Sequence, residues 1–136
     1  MRHAEPALPC GTAHVLLAHG SRDPQWPAAI EAVAARVRQL DPAARVRCAY
    51  LESAQPDLDA AIDQLMAEGA QSIAVWPMFL GLGRHAREDL PRLVAAAQAR
   101  IGANPRSVRL WLQAPVAEHA LVQEALAKVI LHEAFR

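Results

Sequence analysis

Residues 14–24 read HVLLAHGSRDP. The unbroken apolar run Val15, Leu16, Leu17, Ala18 has the composition of a strand buried on both faces, as in a parallel sheet covered by helices. It stops at His19, Gly20, Ser21, Arg22 and Asp23, so a core element delivers an imidazole and a guanidinium to its tip. Asp23 followed by Pro24 is a helix-start signal, because the carboxylate can cap free amides and proline has no amide hydrogen to leave unpaired.

Working outward, three more apolar runs of strand length cover residues 45–51, 72–79 and 107–112, and with residues 13–18 they alternate with stretches of helical period. Trp26, Ile30, Val33, Val37 and Leu40 make the first apolar stripe. The second helix runs from about Pro56 to a stop at Gly69, with Leu58, Ile62, Leu65 and Met66 on one side. A third carries Leu90, Leu93, Val94, Ala97 and Ile101, and a fourth Val122, Leu126, Val129 and Ile130. Strand and helix alternating at roughly thirty-residue spacing means βαβ units with right-handed crossovers. The expected fold is α/β, a four-stranded parallel sheet flanked by helices, flavodoxin-like. It occupies one domain over residues 1–136, with residues 1–12 loosely ordered.

The composition excludes several classes of function. Fourteen basic residues balance 14 acidic ones, leaving no net field to attract nucleic acid or an anionic membrane. Cys10 and Cys48 lack the spacing of a thiolate zinc site or a disulfide framework, which fits a reducing cytoplasm. The N-terminal apolar run is too short for a signal segment or a membrane span. The expectation is a cytoplasmic protein with no membrane or nucleic-acid partner.

In open parallel sheets ligands bind beyond the carboxyl ends of the strands, where strand order reverses. Those ends carry His19, Ser21 and Arg22 after the first strand, Glu52 after the second, Arg84, His85 and Arg87 after the third, and Gln113 after the fourth. Singly, each has an ordinary explanation. His19 could bond a loop carbonyl, Glu52 could face the positive end of the second helix, His85 could lie on a Gly-rich surface loop, and the arginines could be solvated. Together on one rim they offer two imidazoles and a carboxylate suited to Fe, Co, Ni or Zn, and guanidinium groups suited to carboxylates or phosphates. The ligands are too few for a closed structural metal centre, and open positions suit a metal in transit. His3, His14, His119 and His132 lack such company and are assigned no role.

Two other patterns fit poorly. GLGRHA at residues 81–86 matches a dinucleotide fingerprint through Gly81 and Gly83, but the next strand ends in Gln113 instead of the acid that holds ribose hydroxyls. The stretch PMFLGLGRHARED also reads as a loop too long for the tight turn that fingerprint needs. A phosphohistidine strand end would carry arginine before the histidine, and Ala18 stands there.

With these residues assembled, the chain resembles the small sirohydrochlorin chelatases, the short cobalt and iron chelatases of the class II, ferrochelatase-like superfamily. The resemblance rests on LLAHGSRDP, YLESAQPDLDAAI, PMFLGLGRHAREDLP and APVAEHALV, and spans nearly the whole chain. It implies insertion of Co²⁺ or Fe²⁺ into the tetrapyrrole sirohydrochlorin on the way to cobalamin or sirohaem, and the affinity order of divalent metals adds Ni²⁺ as a further candidate. The metal is a substrate, and no organic cofactor is needed. His19 and His85 match the family's metal-binding and catalytic histidines and Glu52 its strand-two acid. Arg22, Ser21, Arg84 and Arg87 become candidate contacts for the substrate's carboxylates. Arg84 departs from the glycine that many relatives carry before the second histidine. The resemblance also implies half of a two-lobed fold and hence a homodimer. A non-catalytic metal or tetrapyrrole carrier on the same fold is the alternative.

Overall fold

The run that ends at His19 forms β1 (Ala13–Ala18), which lies inside the sheet, paired in parallel with β2 (Val46–Tyr50) on one side and β3 (Ser72–Pro77) on the other. β4 (Arg109–Leu112) pairs in parallel with the outer side of β3, giving the order β2-β1-β3-β4. The structure, a computed structural model, describes residues 7–102 and 107–134. Among the described residues, four α-helices accompany the sheet: α1 (Ala28–Leu40), α2 (Leu58–Ala67), α3 (Arg84–Ile101) and α4 (Ala120–Ala134). The chain therefore has the flavodoxin-like α/β architecture expected. The loose order expected of residues 1–12 falls partly on residues 1–6, which lie outside the described residues, as does His3.

Helices packed on both faces leave β1 no solvent face, which is why its sequence is apolar without alternation. Val15 and Leu17 pack with Ile62, Leu65, Val75 and Leu90 on the face covered by α2 and α3. Leu16 and Ala18 pack with Ala34, Val46, Cys48 and Tyr50 on the face where α1 lies against β1 and β2. Val15 and Leu17 are fully buried, and each such side chain contributes about 1.5–3 kcal/mol.

Local chemistry moves several boundaries. Asp23 does not cap α1: its side chain accepts from the Gln25 amide (2.9 Å), closing a turn, and the helix begins only at Ala28. Trp26 thus sits before the helix, its ring edge-on to Tyr50 with centroids 6.1 Å apart. The core-facing positions of α1 are Ile30, Ala34 and Val37, whereas Val33 and Leu40 point to solvent. In α2 the cap is Asp57, which accepts from the Ala60 amide at 2.9 Å.

The third helix corrects the reading of residues 77–89 as a long loop. Gly83 supplies an extended N-cap and α3 starts at Arg84, because Arg, Ala, Glu and Leu in the following positions are good helix formers. His85 therefore stands on the first helical turn. In α4 the stripe Val122, Leu126, Val129 and Ile130 does not reach a core, and no side chain described in that helix is buried.

Candidate functional site

β1 and β3 are neighbours although β2 comes between them in the chain, so strand order reverses at the carboxyl end of β1. The crevice that such a reversal opens is where His19 emerges. Two backbone bonds fix its neighbourhood: Leu51 N–H donates to the Ala18 carbonyl (2.9 Å) and Glu52 N–H to the His19 carbonyl (3.0 Å). The tips of β1 and β2 stay zipped beyond the regular strands, and Gly20 makes the closeness possible with a φ of 104°.

That zipping brings the side chains together as well. His19 Nε2 lies 2.8 Å from Glu52 Oε1, with both side chains more than half exposed, at 61% and 63%. The carboxylate accepts from Nε2–H and orients the ring, which leaves Nδ1 as the nitrogen able to take a metal ion. Glu52 thus holds the first-strand histidine.

His85 reaches the same place from the opposite wall. An open cleft of about 600 Å³ is lined by His19, Leu51, His85, Ala86, Asp89, Leu90, Arg92 and Leu93. Both imidazoles therefore share one cleft at the carboxyl rim. They do not close into a cage: among the described residues no three His, Cys, Asp or Glu side chains come together as a metal site. Cys48 is no ligand either, since burial, with Glu31 nearby, pushes its thiol up to about 12.

The remaining candidates are distributed less tightly. Ser21 Oγ accepts from the Asp23 amide at 3.1 Å, and Arg22 is exposed in the same turn. Arg84 and Arg87 are exposed on the first turn of α3 and are not among the residues that line the cleft. Asp89, Arg92 and Leu93 do line it, and sequence reading overlooked them in this role. Their spacing of four, seven and eight residues from His85 is a helical face, but it becomes visible only once α3 is known to begin at Arg84.

Two further cavities among the described residues have a different lining. One of about 1,310 Å³ at the amino ends of the strands is lined in part by His14, Arg45, Ser72, Arg109 and Trp111, and another of about 620 Å³ lies between α3 and β4. In the first, His14 accepts from Trp76 Nε1 (3.0 Å) and Ser72 Oγ accepts from Trp111 Nε1 (2.9 Å), so these polar groups serve the sheet.

Known proteins are similar to this chain in sequence and fold. A sirohydrochlorin cobaltochelatase from Methanococcus aeolicus is 33% identical over 80 residues, which make up 59% of this chain and only 56% of that relative. The crystal structure of a putative cobalamin (vitamin B12) biosynthesis CbiX protein from Marinobacter aquaeolei superimposes with a TM-score of 0.78 at 30% identity, covering 92% of this chain and 98% of that one. The sirohydrochlorin chelatase SirB of Bacillus subtilis, crystallised with cobalt, has the same fold at a TM-score of 0.70 and 24% identity, and 89% of this chain spans 50% of it. Among the described residues no helix is long and apolar enough to cross a membrane. The CbiX family profile matches residues 13–133, and the chain belongs to that family.

Proposed function

We propose that this protein is a sirohydrochlorin chelatase that inserts Co²⁺ or Fe²⁺ into the tetrapyrrole. The observation that carries this reading is the Glu52-held imidazole of His19 facing the cleft that also holds His85. In this proposal His19, through Nδ1, and His85 present the divalent ion, and Ni²⁺ would be accepted by the same ligands. As M²⁺ enters, the two inner pyrrole N–H groups give up their protons, so the macrocycle exchanges 2 H⁺ for one M²⁺. Histidine and the Glu52 carboxylate are the groups at hand to accept them. Sparse ligation allows the ion to leave the protein.

Leu51, Leu90 and Leu93 give the cleft apolar walls for a flat ring. Around them Arg22, Arg84, Arg87 and Ser21 would meet the eight carboxylates of the substrate, and Arg92 joins them from the cleft wall. One protomer offers one wall to the macrocycle, and two copies would enclose it, so the working form in this reading is a homodimer. No organic cofactor takes part, and the free thiols Cys10 and Cys48 fit a cytoplasmic setting.

The test is an anaerobic assay that follows sirohydrochlorin absorbance after addition of Co²⁺ or Fe²⁺. Acceleration over the spontaneous rate, lost in His85→Ala, is the expected result. Binding of Co²⁺ or sirohydrochlorin without acceleration would identify a carrier and overturn the enzyme assignment.

A further inference from the structure

α3 is anchored to the body along only part of its length. Leu90, Val94 and Ala97 are its buried residues, and half-buried Ile101 joins them against the core, a stripe with helical spacing. Upstream of Leu90, residues 84–89 include no buried side chain. The two turns that carry His85 thus project beyond the part of the helix that the core holds.

Pro91 stands where the projecting turns meet the anchored part, inside the helix. The Arg87 amide donates to the Gly83 carbonyl (3.1 Å), so the first turn is closed. The next bond of that row is absent for a chemical reason: proline has no amide hydrogen to donate to the Arg87 carbonyl, and its ring crowds that carbonyl. Packing does not account for the residue. Pro91 is exposed, borders the cavity of about 620 Å³ between α3 and β4, and belongs to neither core cluster. Its effect falls on the backbone.

The direction of that effect follows from the helix period. At about 100° per residue His85 lies about 120° round the axis from Pro91, and Asp89 and Leu93 lie about 160° from it. The residues of α3 that line the cleft therefore occupy the face opposite the proline. A ring that crowds the carbonyl one turn upstream bends the helix away from its own side, which leans the first two turns toward the cleft. His85 is six residues from Pro91, about 9 Å along the axis, and a kink of about 20° over that lever moves it about 3 Å. Metal–nitrogen bonds are about 2.0–2.1 Å long and tolerate about 0.2 Å, so a displacement of that size decides whether His85 and His19 can hold one ion.

We propose that Pro91 is a positioning residue for His85: by withholding its amide from the Arg87 carbonyl it angles the first two turns of α3 into the cleft, so that His85 meets the ion presented by His19. The inference rests on the metal site of the proposed chelatase and specifies what aims its second imidazole. Pro91 is not among the residues that line the cleft, and it acts through His85.

Calorimetric Co²⁺ titration and thermal unfolding of the full chain, Pro91→Ala, His85→Ala and the double variant test this. Pro91→Ala restores the amide and gains helix propensity, so its thermal midpoint is expected to rise while its Co²⁺ affinity falls about 10–100-fold, the loss typical when a metal-binding imidazole is no longer held in place. In the His85→Ala background the same change should alter the affinity by less than about twofold, because the group it aims is gone. Should Pro91→Ala fail to fold, Pro91→Gly, which also restores the amide, is measured in the same way. Parental affinity in the position-91 variant, alongside a weakened His85→Ala, overturns the positioning role and leaves the chelatase site standing. A loss as large in the His85→Ala background as in the parent shows that Pro91 acts on the fold at large, and overturns it too. Co²⁺ binding that is indifferent to His85→Ala removes His85 as a ligand and overturns the proposed metal site together with this inference.

Discussion

A Cβ atom added to Gly20 would lie 1.8 Å from the carbonyl oxygen of Glu52. The obstacle is backbone, so no side chain can swing aside, and Gly20 also has a φ of 104°, where L-residues are strained. The tips of β1 and β2 can be zipped together only because residue 20 has no side chain, and the His19–Glu52 pair depends on that zipping.

Gly20→Ala is accordingly expected to destabilise the fold by about 1–3 kcal/mol, the range for a residue held in a strained backbone conformation. It should also weaken Co²⁺ binding by separating His19 from Glu52. Urea unfolding together with calorimetric Co²⁺ titration measures both, and a midpoint equal to that of the unsubstituted chain would contradict the geometric argument.

Glu52 and His85 separate a positioning role from a direct one. Removing a carboxylate that orients a metal-binding imidazole typically lowers metal affinity about 10–100-fold, so Glu52→Ala should weaken Co²⁺ binding by that factor. Because His19 and Glu52 are both largely exposed, thermal stability should change by no more than about 0.5 kcal/mol. His85→Ala should lower the insertion rate about 10²–10⁴-fold, the usual contribution of a positioned acid–base group. Equal affinity for Co²⁺ in Glu52→Ala and the parent chain would remove Glu52 from the site.

The two thiols should differ in reactivity. Cys10 is exposed, whereas Cys48 is 6% exposed, points toward the Ile30 carbonyl, and is pushed up to about 12 by burial, with Glu31 nearby. The thiolate is the reactive form, so at pH 8 a disulfide reagent should titrate one thiol per native chain quickly and the second only after unfolding. Rapid reaction of both in the native state would show that the α1–β2 core opens readily.

His14 should make stability depend on pH. Burial lowers its pKa from 6.5, against a weaker opposing pull from Asp41, and its Nδ1 accepts from Trp76 Nε1 at 3.0 Å. A protonated ring cannot accept that bond. Below 6.5 the unfolded chain takes up the proton more readily than the folded one, so the stability present above 6.5 is lost as pH falls through the lowered folded value. The thermal midpoint should drop between pH 7.5 and 5.5 by more in the parent chain than in His14→Gln, and parallel curves would show that His14 does not titrate within this window.

The sequence alone settled the features that rest on strong local periodicity. An apolar run without alternation, ending in histidine, required a strand buried on both faces, and βα repetition at even spacing required parallel pairing with all carboxyl ends on one rim. His19, Glu52 and His85 could be placed on that rim from topology before any distance was known, since parallel strands bring their tips together however far apart they lie in the chain.

Tertiary structure decided the matters on which local signals were balanced. Asp23 reads as a helix cap, yet its side chain bonds Gln25 and α1 begins only at Ala28, whereas α2 is capped by Asp57, which the sequence reading did not single out. The start of α3 lay hidden in a glycine-containing segment that reads as a loop, and with it the cleft-lining roles of Asp89 and Arg92. The apolar stripe of α4 carries no label for its packing partner, since hydrophobic burial has no direction and a helix period defines a face without naming the surface it meets. Periodicity fixes which side of an element seeks burial, and only packing in three dimensions selects the surface that provides it.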